Sequence, residues 1–362
     1  MKYKIWNQAP SAAAAARVME GQGVHPLVAS VLCARGLDTL EKAGDFLASD
    51  ASLLCAPELL KDMDKAVARI RAALARGEKM AVYGDYDVDG ITATCLLAQF
   101  LREEGGDVVP YIPDRMEEGY GLNREAVAFL REKGVSLIIT VDCGITAVEE
   151  TLYAGSLGMD VIITDHHECK DALPAACAVV DPRRSDCGYP FKALAGVGVA
   201  LKLALALAGP ARHGEVLDKY ADLTAIGTVA DVMCLLGENR AIVRMGLESM
   251  ENSKRPGLRA LLREAGMENK AISASTIGYM LAPRLNAAGR ICRASVAAKL
   301  LLTKDPVRAG ELAQALCGLN RERQCIEREI FENCVSLVER DPAFHRHVIV
   351  LSSTQWHQGV VG

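Results

Sequence analysis

The spacing of apolar and polar residues changes character along the chain. Residues 1–75 read as helical: Leu53, Leu59 and Leu60 lead into DMDKAVARIRAALARG (62–77), with apolar residues at helical spacing before a terminating glycine. Short β-type runs then take over, namely KMAVYG (79–84), DVVPYI (107–112), SLIITVD (136–142), DVIITD (160–165) and ACAVVD (176–181). Helical stretches at 91–104, 123–133 and 145–156 separate the first four. This alternation predicts an α/β fold, a parallel sheet with helices on both faces.

Residues 193–300 read as mostly helical, with a polar break at 251–256. From 306 to 340 the residues Leu312, Leu316, Leu319, Arg323, Ile326 and Ile330 keep a three-four spacing, continued by Leu337. Arg323 interrupts this seam, which favours a long connecting helix over a dimeric coiled coil. HVIVLSS (347–353) reads as a further strand, the opening of a second domain cut off at QGVVG. The expected organisation is a helical segment at 1–75, an α/β core at 76–235, and a helical part at 236–305 with an RLNAAGR loop. The connecting helix at 306–341 and the start of the next domain at 342–362 follow.

Composition changes this picture little. Half of the 362 residues are apolar, 24% are charged and the net charge is −5, so no global basic excess points to nucleic acid. A basic groove can still sit on an acidic protein, and clustered carboxylates lower the count by themselves. The twelve cysteines include no CxxC pair, which favours reduced thiols in a cytoplasmic protein over disulfides or zinc. The N-terminus has no signal-peptide core, and the apolar run at 193–208 contains Lys202, so it reads as a buried helix, not a membrane span.

Chemistry gathers at the predicted strand ends. GDYDVDG (84–90) places Asp85, Asp87 and Asp89 between glycines after the first run. Asp142 ends the third run, and Asp165, His166 and His167 end the fourth. Ligands of open α/β sheets bind outside the carboxyl ends of the strands, so these clusters should converge on one rim. Close carboxylates need a compensating cation, and oxygen ligands with one or two imidazoles suit Mn²⁺ or Mg²⁺. Asp231, the single acid in the small and apolar stretch 225–236, fits the same role. Two metals about 3.5–4 Å apart suit in-line displacement at phosphorus. Arg284, Asn286 and Arg290 of PRLNAAGR (283–290), with Arg293 beyond, are candidates to hold the phosphate; Arg183 and Arg184 are weaker ones. Tyr111, Tyr120, Tyr189 and Phe191 are available for base stacking or for packing.

In order, GDYDVDG, VDCG, DHH and the aspartate of GTVADV resemble the four motifs of the DHH phosphoesterase superfamily. LLKDMDKAVARI, YIPDR, GYGLN, GTVADVMCL, PRLNAAGR and WHQGVVG extend the resemblance to its RecJ-type exonucleases, over nearly the whole chain. The resemblance implies two-metal hydrolysis of single-stranded DNA from the 5′ end, in recombination and repair. It implies that Asp87, with Asp85 near it, ligates one metal, that Asp89, His166 and Asp231 hold the second, and that Asp142 bridges them. His167 would act on the scissile phosphate, and Arg284, Asn286 and Arg290 would contact DNA phosphates. A monomer working with single-strand-binding protein and a RecQ-type helicase is the implied setting. Tyr83 occupies a place where some members carry histidine. Only the first strand of the DHH-associated domain is expected, without its glycine-rich loop, as in a fragment or a natural truncation. Two alternatives stay open: a DHH phosphodiesterase for short or cyclic oligonucleotides, and a non-catalytic scaffold. GVGVA (196–200) lacks the third glycine of a dinucleotide-binding turn, which sets an oxidoreductase aside.

Overall fold

A computed structural model describes residues 13–340 and 347–361; the expectations for 1–12 and 341–346 lie outside the described residues. Helices α1 (Ala13–Glu20), α2 (Pro26–Ala34) and α3 (Leu40–Ala48) form a small packed unit around Met19, Ala29 and Leu32. Helix α4 (Met63–Arg76) buries Met63, Ala66, Ile70 and Ala73 along one stripe and ends at Gly77, whose φ of 63° lies in the left-handed region.

A parallel five-stranded sheet follows, in the order β2-β1-β3-β4-β5. Its strands are β1 (Lys79–Gly84), β2 (Asp107–Tyr111), β3 (Leu137–Val141), β4 (Asp160–Thr164) and β5 (Ala178–Val180). Between them run α5 (Val88–Glu103), α6 (Arg124–Glu132) and α7 (Val148–Ser156). The strands are apolar on both faces because both are covered. Met80, Val82, Leu137, Ile139 and Ile162 face α4 and α5, whereas Ala81, Ile138, Val161 and Ile163 join α6 and α7. Each such Leu, Ile or Val stabilises the fold by about 1.5–3 kcal/mol.

Helices α8 (Gly196–Ala208) and α9 (His213–Ala230) pack on α5, α10 (Gly237–Glu251) packs on α9, and α11 (Pro256–Glu264) follows. The 193–208 run is the buried helix the sequence predicts: Lys202 is fully buried, bonds the Cys55 carbonyl at 2.7 Å and pairs with Glu238. Among the described residues no helix is long and apolar enough to cross a membrane. The chain continues through a short α12 (Ala274–Thr276), a π-helical turn (Ile277–Leu281), α13 (Ala282–Ile291), α14 (Ser295–Leu302) and α15 (Pro306–Arg340).

Two expectations are corrected. PRLNAAGR is not a loop but lies in α13, where small residues let the helix pack closely: a Cβ on Gly289 would lie 2.9 Å from the Tyr86 carbonyl. HVIVLSS is not a strand. A strand needs a partner ladder, none of the described residues supplies one, and Val348, Ile349 and Val350 are exposed. The long helix is present as expected. Leu312 and Leu316 are buried along its first half, while Phe331 in the second half is exposed.

Candidate metal centre

Sheet register lines up the acids. Gly84 pairs with Val141, Val141 with Thr164, and Thr164 with Val180. The next residues are Asp85, Asp142, Asp165 and Asp181, one aspartate past each of four neighbouring strand ends. β1 and β3 flank the point where chain order reverses, the usual ligand crevice of such sheets. Asp142 is not a helix cap; α7 starts at Val148, and Asp142 itself holds a left-handed φ of 59°.

Helix termini deliver the other acids. Asp87 caps α5, accepting the Gly90 N–H at 3.1 Å, and Asp89 lies in the first turn. Buried Asp89 also accepts the N–H groups of Gly196 (2.7 Å) and Val197 (2.9 Å) at the start of α8. Asp231 is the C-terminal cap of α9. His166 Nε2 stands 3.0 Å from Asp142 Oδ1, 3.7 Å from Asp231 Oδ2 and 3.8 Å from Asp89 Oδ2. Glycines make the room: a Cβ on Gly196 would fall 2.5 Å from Asp142 Oδ1, and one on Gly227 2.7 Å from Asp89 Oδ1.

Ligand atoms thus gather in three overlapping groups: Asp85, Asp87 and Asp142; Asp89, His166 and Asp231; and Asp142, His166 and His167. Asp85 Oδ1, Asp142 Oδ1 and His166 Nε2 are buried and have no hydrogen-bond partner, although His166 and Asp142 are at contact distance. Buried acceptors without donors are expensive. Burial pushes Asp142 well up from the usual carboxylate range, with Asp89 and Asp87 adding like charge. Asp89 also rises, through burial and the charges of Asp87 and Asp231, despite its two backbone donors. Asp85 is pushed up to about 7 by burial and Asp87, and Asp231 to about 6 by burial and Asp87. Burial and the neighbouring His167 lower His166 to about 4, so its imidazole is neutral and free to ligate. Divalent cations fit this donor set of carboxylates and neutral imidazole, and would offset the crowded charge.

His167 is held differently. Its Nδ1 lies 2.7 Å from Asp165 Oδ1, and that hydrogen bond raises its pKa. Burial works against the Asp165 carboxylate, but His167 and the N–H groups of Ile145 and His166 outweigh it and hold the pKa low. Asp181, fully buried and pushed up to about 7 by burial, keeps Oδ2 without a partner. Asp181 ends the run ACAVVD just as Asp142 and Asp165 end theirs, and that position at a strand end is its only signal in the sequence.

The surrounding candidates divide. The half-buried Arg290 donates to the Gly359 carbonyl at 3.2 Å, and its pKa is lowered by burial and by Arg115 and Arg323 nearby. Arg284 bonds the Met280 carbonyl at 2.6 Å and keeps a buried Nε without a partner, while Asn286 is partly buried on the same helix. Arg293 stands 3.7 Å from both Asp114 and Glu117. Arg183 pairs with Glu168, and Arg184 is spent on Asp62, Asp186 and the Val179 carbonyl. Tyr83 points away: its hydroxyl donates to the Gly121 carbonyl at 2.8 Å. Tyr111 stacks on Tyr83, Tyr189 is buried against Glu238, and Phe191 packs on Gly237. Tyr120 is 53% exposed, with its hydroxyl 3.4 Å from the His167 ring nitrogens. Tyr86 meets it edge-on at 6.3 Å, and Arg115 lies 5.0 Å over the Tyr86 ring. Tyr86 is marked in the sequence only as an aromatic within the acidic motif GDYDVDG, and Arg115 is tied to it only by this stacking.

Residues 79–228 match the DHH family, N-terminal domain. The single-stranded-DNA-specific exonuclease RecJ of Bacillus subtilis is 45% identical over 339 residues, 94% of this chain and 42% of that protein. The Escherichia coli protein of the same name is 39% identical, over 84% of this chain and 55% of its own length. A crystal structure of exonuclease RecJ bound to manganese superposes with a TM-score of 0.74 at 38% identity, covering 85% of this chain and 76% of that one. The chain belongs to the RecJ family. RecJ from Thermus thermophilus in complex with Mn²⁺ gives a TM-score of 0.81 at 34% identity, over 98% of this chain and 50% of the other. The chain therefore spans about half the length of the curated RecJ relatives it matches.

Proposed function

We propose that this chain is the catalytic core of a RecJ-type exonuclease, hydrolysing phosphodiester bonds of single-stranded DNA from the 5′ end with Mn²⁺ or Mg²⁺. The supporting observation is the set of buried, unpartnered ligand atoms at the register-aligned strand ends. Asp85, Asp87 and Asp142 would hold one ion, and Asp89, His166 and Asp231 a second, with Asp142 next to both groups. Two such ions supply an activated water and charge stabilisation for the leaving oxygen. Asp165 fixes the His167 ring so that its other nitrogen can offer a proton or hydrogen bond to the phosphate. Arg290, Arg115 and Tyr86 form a cationic and aromatic wall for the strand, and Arg284 and Asn286 lie on the helix that carries Arg290. The division into a core at 76–235 with helical additions is retained as part of this reading. The setting is a cytoplasmic monomer acting in recombination and repair with single-strand-binding protein and a RecQ-type helicase, consistent with twelve cysteines that are all free.

The test is incubation with Mn²⁺ and labelled single-stranded DNA, with Asp142→Ala as control. Release of 5′ mononucleotides, abolished by EDTA and by the substitution, is expected. Metal-dependent turnover of dinucleotides alone would favour a short-oligonucleotide phosphodiesterase. No turnover and no metal binding would leave a scaffold.

A further inference from the structure

Val232 stands where glycine is usual. Helix α9 ends with the Val232 N–H donating to the Val229 carbonyl (3.1 Å) and the Met233 N–H to the Thr228 carbonyl (3.2 Å). The residue at this turn is left-handed, and glycine or asparagine occupies it at low cost. Here it is a β-branched valine at φ 57°, a region unfavourable to that side chain. The fold recovers little in return, because Val232 is 88% exposed. It directly follows Asp231, whose carboxylate lies 3.7 Å from His166 Nε2.

Tyr279 repeats the pattern. It is 84% exposed on the π-helical turn Ile277–Leu281, a rare geometry concentrated at functional sites. A Cβ on its neighbour Gly278 would lie 3.7 Å from Val229, so this turn packs on the same end of α9. Two large side chains are thus held out to solvent, by uncommon backbone, at the end of α9 that carries Asp231.

We propose that Val232 and Tyr279 contact the nucleobases of the strand being degraded, a second contact separate from Tyr86. A branched aliphatic group and an aromatic ring offer apolar faces to any base, which suits a reaction that proceeds along a strand irrespective of sequence. The inference rests on the nuclease reading above. It also gives a role to a valine at a turn that glycine would ease: glycine would remove the contact.

The test measures anisotropy of a labelled phosphorothioate oligothymidylate with the full chain in Mn²⁺, for wild type, Val232→Gly, Val232→Asn and Tyr279→Ala. Each variant should raise the dissociation constant by about fivefold or more. Val232→Gly should keep or raise the thermal midpoint. Dissociation constants within twofold of wild type in both Val232 variants would overturn the proposal. Asparagine tolerates the left-handed turn and carries the test if the glycine variant folds poorly. Hydrolysis of a normal strand by wild type is followed in parallel. Its absence defeats the nuclease reading and leaves the binding comparison intact. Its presence with unchanged binding defeats this inference alone.

Discussion

His166 Nε2 and Asp142 Oδ1 stand 3.0 Å apart in the protein interior without forming a hydrogen bond. In the neutral tautomer that carries its proton on Nδ1 both atoms are acceptors, and a cation held by the surrounding groups makes their closeness favourable. Asp142→Asn keeps the volume and removes one charge. In EDTA its thermal midpoint should equal or exceed that of wild type, because the cost of burying or protonating that carboxylate among its acidic neighbours is gone. Mn²⁺ at a hundredfold its dissociation constant should stabilise wild type by about 2.7 kcal/mol. The asparagine variant should gain far less. Denaturation with and without metal checks both statements; equal stabilisation of the two proteins would contradict the assignment.

Stability without metal should depend on pH in a direction opposite to that of ordinary salt-bridged acids. Asp85 sits at about 7, and Asp89 and Asp142 are raised well above their usual range. The folded state therefore holds protons that the unfolded chain has released. By linkage, stability falls as pH rises through the raised values. His167, raised by Asp165, adds the same sign. His166 is lowered to about 4 and works the other way, but only below the unfolded histidine value of about 6.5. Urea midpoints in EDTA should thus decline as pH rises from about 6.5 through the Asp85 value of about 7. Saturating Mn²⁺ should flatten that decline, since the cation replaces the protons. A rise in metal-free stability across the window would contradict the electrostatic account.

His167 and Asp165 should behave as a unit. The 2.7 Å contact fixes one ring nitrogen and leaves the other for substrate. His167→Ala should lower kcat by about 10²-fold or more, as expected for a lost general acid. Asp165→Asn should lower kcat less and move the limb of the pH–rate profile to lower pH, because the partner that raises His167 is weakened. Single-turnover rates across pH read this directly. Unchanged profiles in Asp165→Asn would mean that the contact only supports the loop.

Much of this site was legible because its determinants are local. Acids at the ends of apolar runs locate Asp85, Asp142 and His166 once a parallel sheet is inferred, and the observed register needs nothing more. What was hidden depends on packing. PRLNAAGR reads as a loop by composition, yet its small residues are what let α13 lie against Tyr86. HVIVLSS has strand propensity but no ladder to join among the described residues. Arg115 and Tyr86 acquire meaning only from their 5.0 Å stacking, and Asp181 only from its alignment with Asp165. Tyr111, Tyr189 and Phe191 show the converse: aromatic identity is visible in sequence, whereas burial is not.

Gly196 supplies a test of geometry as distinct from charge. It opens α8, its N–H reaches Asp89 at 2.7 Å, and the space a Cβ would need is taken by the Asp142 side chain at 2.5 Å. Alanine is the better helix former, so local propensity favours Gly196→Ala by about 0.5–1 kcal/mol. The clash works against it, and overpacking costs about 1–3 kcal/mol. The net change in stability should therefore be small or moderately unfavourable, within reach of a folded protein. Asp142 can yield only by moving, and a misplacement of about 1 Å at a reacting centre can cost 10²-fold in rate. Gly196→Ala should accordingly bind Mn²⁺ more weakly and lose far more turnover than stability, although it removes no ligand. Calorimetric metal titration beside urea denaturation separates the two effects. Wild-type metal affinity in the folded variant would show that Asp142 does not need the position it holds against α8.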